Sequence, residues 1–221
     1  ANKKGSIVAL DPATGEVLCM VSSPTYDPRM MIGRQRSKNH ALLAANEQKP
    51  LLNRSIMGQY PPGSTFKTSQ ALTFLSEGIV TTGTAFPCSH GFYHRGLHVG
   101  CHGHASPIPV VGALSTSCNA YFCWGLYYMI GNRKKYDSVQ DAMNTWRDYM
   151  VSMGFGYKLG IDLPGEKRGL IPNANFYDKA YKGSWNGLTI ISISIGQGEV
   201  NLTPLQIANL GATIANRGYY Y

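Results

Sequence analysis

The chain has 221 residues, 43% of them hydrophobic and 14% charged, which fits one globular domain of ordinary size and excludes a disordered polar segment. The formal net charge is +8, yet basic residues such as Lys3, Arg34, Arg133 and Lys167 are scattered rather than strung in a run with aromatics, so a nucleic-acid partner is not indicated. A mild attraction to an anionic surface or to a carboxylate-bearing substrate accounts for the charge, and no run of about eighteen apolar residues or signal-peptide pattern occurs.

Ser6–Leu10 and Val17–Val21 read as two strands around a turn rich in Asp, Pro, Thr and Gly. Their nearly continuous apolar content predicts burial on both faces. Residues 26–59 loosen into loops, with a short helix expected around His40–Glu47 and Arg54 either bracing the nucleophile loop or, the preferred reading, in solvent.

Gln59-Tyr60-Pro61-Pro62-Gly63-Ser64-Thr65-Phe66-Lys67-Thr68 is the chemical centre of the chain. Prolines and a glycine make a stiff turn, and the apolar or helix-tolerant residues that follow predict that Ser64 stands at a helix start. Residues three apart share a helix face, which brings the Ser64 hydroxyl and the Lys67 amine together. A serine becomes a nucleophile when a base takes its proton, and burial or a helix N-terminus favours the neutral amine that task needs. Alone, Ser-x-x-Lys also describes an N-cap serine and a solvated lysine.

Five of the six histidines (His90, His94, His98, His102, His104) lie between residues 90 and 104, together with Cys88 and Cys101. Phe92-Tyr93-His94 and Leu97-His98-Val99 around Arg95-Gly96 predict a hairpin with the two cysteines at its base. Zinc, a Cys88–Cys101 disulfide, and free thiols beside surface histidines are all compatible with that arrangement. For zinc, His102 and His104 are the preferred partners of Cys88 and Cys101, because His94 and His98 fall at the far end of the hairpin.

Ser115-Thr116-Ser117-Cys118-Asn119 then precedes an apolar helical stretch. It is either an N-cap cluster or, with Ser64-x-x-Lys67 upstream, the Ser-x-Asn half of a catalytic pair. Cys118 and Cys123 read as small apolar packing residues. Ser138–Met153 is an amphipathic helix with Val139, Met143, Trp146, Met150 and Met153 on its core stripe. Ile190–Ile195 alternates as a short strand ending at Gly196-Gln197-Gly198, whose glycines let the backbone approach the cleft. Thr203-Pro204-Leu205-Gln206 has the cap, proline and polar N3 residue of a helix start. Ile207, Leu210 and Ile214 are its expected buried stripe.

Taken together, these blocks resemble the transpeptidase domain of a class B, elongation-type penicillin-binding protein. Gly5–Leu18, Ser23–Pro28, Asn53–Ile56, Tyr60–Lys67, Asp162–Glu166, Gly196–Gly198 and Thr203–Gln206 follow the family's order across most of the chain. The family's third motif, Lys-Thr-Gly or Lys-Ser-Gly, is not among these residues, so the reading is a fragment, residues 1–221, ending before that motif. The resemblance implies an α/β penicillin-binding and β-lactamase-like fold, an antiparallel sheet flanked by helices, with the C-terminal part of the sheet beyond this chain.

It also implies a membrane anchor and an N-terminal pedestal domain outside these residues, at the periplasmic side of a bacterial inner membrane. The implied activity is serine D,D-transpeptidation of peptidoglycan stem peptides, with Ser64 as nucleophile, Lys67 as base, Ser117 relaying a proton and Asn119 binding the substrate's backbone amide. β-Lactams, a membrane glycosyltransferase and the cell-elongation machinery are the implied partners. Zinc-binding in some elongation-type members favours zinc at Cys88, Cys101, His102 and His104. A β-lactamase or β-lactam sensor on the same fold, and a non-catalytic zinc-binding scaffold, are the competing readings.

Overall fold

The computed structural model describes residues 3–221. Strands β1 (Gly5–Leu10) and β2 (Val17–Ser23) are followed by α1 (Arg36–Ala45), the short α2 (Arg54–Met57), a 3-10 turn over Gly63–Phe66 and α3 (Lys67–Ser76). Then come β3 (Ala85–Phe86), β4 (Gly91–His94), β5 (Leu97–Gly100), β6 (Ile108–Pro109), α4 (Val110–Ser115) and α5 (Asn119–Gly131). The rest is α6 (Val139–Ser152), α7 (Ala174–Tyr181), a 3-10 segment at Ile191–Ile195 and α8 (Pro204–Ala215). No helix among the described residues is long and apolar enough to cross a membrane.

The residues group into two compact units. The first runs through Tyr60 and takes in Tyr157–Gly169 and Leu202–Tyr221. Its β1–β2 hairpin is antiparallel, with Ile7 opposite Val21 and a bulge after Ala9, and it packs on α2 and α8. Only that one face is covered. Ile7 is 63% and Leu18 66% exposed, so the expected two-sided burial is not found among the described residues. Arg54, expected in solvent, is buried and donates to the carbonyls of Gln48 and Lys49 at 2.7 and 3.1 Å. α8 begins with a reciprocal capping box between Thr203 and Gln206, and Gln206 goes on to donate to the Tyr157 and Arg168 carbonyls. That anchorage turns Leu205, Asn209 and Ala212 inward and leaves Ile214 about half exposed, which displaces the stripe expected from Ile207 and Ile214.

The second unit comprises Pro61–Gly156 and Leu170–Asn201. Its axis is α5, apolar on every side, with Tyr121, Phe122, Leu126 and Met129 fully buried; a helix of that composition can sit only inside a core. α3, α6, the β4–β5 hairpin and the 3-10 segment surround it. Ile191–Ile195 reads as a strand by its alternation, but no strand among the described residues pairs with it. Instead it winds tightly, with the Ser194 hydroxyl donating to the Ile191 carbonyl at 2.7 Å, and buries its isoleucines against α5. Packing has overridden β propensity here.

Gly125 shows how tight this core is. A Cβ at that position would come within 2.4 Å of the buried Phe74 ring. Gly125→Ala gains about 1 kcal/mol of helix propensity but forces an overpacked core, at a cost of roughly 1–3 kcal/mol. The expected net result is a melting temperature lower by a few degrees; an unchanged or higher value in a thermal melt contradicts this packing.

Candidate active site

The nucleophile turn is shaped from a distance. Gly63 donates its N–H to the Gly196 carbonyl at 2.9 Å, and Gly196 is in the left-handed region at φ +69. A Cβ on Gly196 would lie 2.3 Å from the Gly63 carbonyl oxygen. Only glycine allows the two backbones this close, which is the physical content of the Gly-Gln-Gly block. The turn then delivers an exposed Ser64 and, one step into α3, a lysine that is only 2% exposed.

Ser117 and Asn119 come from the break between α4 and α5. The Ser117 and Cys118 amides close α4 on the Leu114 and Ala113 carbonyls, which puts Ser117 at φ +53. A non-glycine residue there costs on the order of 1 kcal/mol and is characteristic of functional sites. The reward is position. Lys67 Nζ donates to the Ser117 carbonyl at 2.7 Å, to Ser117 Oγ at 3.0 Å and to Asn119 Oδ1 at 2.6 Å. Ser117 Oγ in turn donates to Ser64 Oγ at 2.9 Å. All four residues singled out in the sequence are therefore brought together. The helical spacing suggested a direct Ser64–Lys67 contact, but the hydrogen bonds run from the amine to Ser117 and from Ser117 to Ser64. Such an array can carry a proton from one hydroxyl through a second to an amine. Burial pushes the Lys67 amine below its ordinary pKa, with the neighbouring thiols pulling weakly the other way.

The Cys/His locus is more compact than the sequence suggested, and one ligand differs. Cys88, Cys101, His104 and Cys118 place their donor atoms within 4.8 Å of one another, whereas His102 is exposed and outside the group. The cause is local. The Cys101–His104 loop turns His102 outward, and Cys118, the N-cap of α5 whose Sγ accepts the Tyr121 N–H, faces the hairpin base. Cys118 was legible only as a packing residue, although a thiol at an N-cap position normally taken by Ser, Thr, Asp or Asn was a signal in principle. All five cysteines are free thiols, so the Cys88–Cys101 disulfide is not formed.

Burial raises the Cys118 pKa to about 12. For Cys101, burial also opposes ionisation, but the Asn119 N–H, His104 and Cys88 outweigh it and hold the thiol below its usual range. Three sulfurs and an imidazole at this spacing fit the donor set and size of a tetrahedral zinc site. The cluster abuts the Lys67–Ser117–Asn119 array: the Asn119 N–H points to Cys101 Sγ at 3.3 Å, and Asn119 Nδ2 donates to the Gly100 carbonyl at 2.8 Å. Glu166, by contrast, is buried in the first unit, where its two oxygens accept the Leu159 and Gly160 amides.

A titration of the individual lysine amines by competitive labelling is expected to place Lys67 below 10.5. A value at or above 10.5 means the three acceptors dominate burial, and the amine is then unsuited to accept a proton.

The model of the penicillin binding protein transpeptidase domain matches residues 5–221. The chain is 38% identical over 226 residues to the peptidoglycan D,D-transpeptidase MrdA of Acinetobacter baumannii, covering 99% of this chain and 31% of that protein. It superposes on Pseudomonas aeruginosa PBP2, solved in complex with WCK 5153, with a TM-score of 0.80 at 30% identity, over 99% of this chain and 48% of that one. The PBP2 solved in complex with MreC from Helicobacter pylori gives a TM-score of 0.82 at 27% identity, over 98% and 39% of the two chains. The chain thus spans about a third of the curated relative's length and carries the Ser64 and Ser117 elements in one hydrogen-bonded array. A match of this breadth makes it a member of the penicillin-binding protein transpeptidase domain family.

Proposed function

We propose that the protein to which this chain belongs is a peptidoglycan D,D-transpeptidase of the cell-elongation type. The observation that carries the reading is the continuous path from Lys67 Nζ through Ser117 Oγ to an exposed Ser64 Oγ. With Lys67 neutral, Ser64 Oγ attacks the carbonyl between the two terminal D-alanines of a stem peptide. Its proton passes to Ser117, whose own proton goes to the lysine. Collapse of the tetrahedral intermediate returns a proton to the departing amine, D-alanine leaves, and an ester to Ser64 remains. An amine from a neighbouring stem then attacks that ester, forming the crosslink and regenerating the hydroxyl. Asn119, its Oδ1 engaged by Lys67, orients the amine and borders the space for the substrate's amide. The Ser64 N–H is one oxyanion donor in this scheme.

β-Lactams would acylate the same serine. In the whole protein, a membrane anchor would hold the domain on the outer side of the inner membrane, beside a glycosyltransferase and the elongation machinery. The MreC complex of the Helicobacter pylori PBP2 supports the elongation part of this setting. We also propose zinc as a resident ion held by Cys88, Cys101, His104 and Cys118. Its contribution when bound is to crosslink the hairpin base to the start of α5. The chain's own residues do the proton transfer.

In the full-length protein, Ser64→Ala is expected to abolish the covalent penicillin adduct, and Lys67→Ala to slow acylation by roughly 10²–10⁴-fold. An adduct that survives Ser64→Ala overturns the assignment. The working amine must be deprotonated, so the acylation rate of the wild type should rise with pH and level off near the lowered Lys67 pKa. A rate that falls with pH over that range contradicts lysine as base. Metal analysis should find one zinc per chain, lost in Cys118→Ser and kept in His102→Ala; the opposite pattern rejects the ligand set.

A further inference from the structure

A groove of about 660 Å³ opens in the second unit, between the C-terminal ends of α3 and α5, the start of α6, residues 186–188 and the tip of the β4–β5 hairpin. None of Ser64, Lys67, Ser117 or Asn119 lines it, and its size is that of a ligand site, roughly 300–1,000 Å³.

Three cations, Arg95, Arg133 and Lys134, line the groove and no carboxylate does. Arg133 is committed to protein, its guanidinium capping the Ile130 and Tyr136 carbonyls. Arg95 and Lys134 differ, because neither charged group has a protein acceptor or ion-pair partner among the described residues. Asp137, three residues after Lys134, makes no ion pair with it among the described residues, and Glu77 is taken by Lys135 and the Tyr136 and Tyr149 hydroxyls.

Arg95 also occupies an unusual place. With Gly96 it forms the two-residue turn of the hairpin, at φ +48 followed by +82, where Asn, Asp or Gly is the usual occupant of the first position. An arginine held there, exposed and without a partner, is not explained by turn stability. Ile79, Ile130 and Leu188 supply the apolar part of the wall, and Gly78 and Gly131 leave open space where a Cβ would stand. These features suit a short backbone with small apolar groups and free carboxylates. The groove lies about two turns along α5 from Asn119, on the order of 12 Å.

We propose that this groove is a second recognition site for the carboxylate-bearing peptide of the cell-wall substrate, holding an uncrosslinked stem next to the one under reaction. This rests on the transpeptidase reading above. Charge complementarity selects the occupant, and proximity to the cleft selects the substrate over an unrelated acidic partner.

The test uses the intact protein with Ser64 already acylated by penicillin, so that the reaction centre is blocked. Fluorescence anisotropy follows binding of a fluorescein-labelled Ala-γ-Glu-Lys peptide at low ionic strength, beside the same peptide with its carboxylates amidated and beside penta-glutamate. Binding of the free-acid peptide is expected, weakened about tenfold by amidation and by the double variant Arg95→Ala/Lys134→Ala. Absence of binding, or equal binding to the double variant, overturns the proposal. Equal or tighter binding of penta-glutamate overturns the choice of occupant in favour of an acidic protein segment. Penicillin labelling of the double variant should match that of the wild type, since neither residue approaches Ser64. Failure of labelling in the wild type itself is the separate sign that the transpeptidase reading is at fault.

Discussion

A buried ammonium is expensive unless every proton finds an acceptor, and the Ser64–Ser117 site of this chain is arranged around satisfying one. Lys67 is given three oxygens, two from Ser117 and one from Asn119. An unpartnered charge at that depth costs several kcal/mol. The three acceptors can converge only because α4 stops at Ser115 and α5 starts at Asn119, with a left-handed residue between them. The strained Ser117 backbone, the helix break and the asparagine are thus one device. Burial lowers the amine's proton affinity, and the neighbouring Cys101, Cys118 and Cys123 oppose it.

The start of α5 is a junction for more than the lysine. Within three residues it supplies the relay hydroxyl, a thiol of the Cys/His cluster and the asparagine, whose amide and carboxamide reach Cys101 and Gly100 at the end of β5. The hairpin that carries those residues has its other end at the cationic groove. The two-stranded ribbon thus has Asn119 bonded near one end and Arg95 at the other.

Much of this was legible in the sequence because it was encoded locally. Ser64 and Lys67 are a helical turn apart, the β4–β5 turn follows from Arg95-Gly96 between alternating residues, and the α8 capping box is spelled out in Thr203 to Gln206. What was missed depends on partners distant in the chain. Cys118 looked like packing because only the fold turns it toward Cys101 and His104, whereas His102 looked like a ligand because spacing alone does not tell which loop residue faces inward. Ile191–Ile195 has the composition of a strand but no partner strand among the described residues. Arg54 was assigned to solvent although the carbonyls that bury it lie only five or six residues away, in a loop whose shape no periodicity predicts.

The bond between Gly63 and Gly196 has a temporal side. Roughly 130 residues of chain separate the two glycines, so closing that loop carries the entropy cost of a long-range contact. At ordinary elongation rates the ribosome needs on the order of ten seconds to make the intervening stretch. Until Gly196 emerges, the serine and its lysine exist as text without the strap that shapes their turn. The turn that carries Ser64 therefore takes its shape only after Gly196 has been made, well after the serine itself.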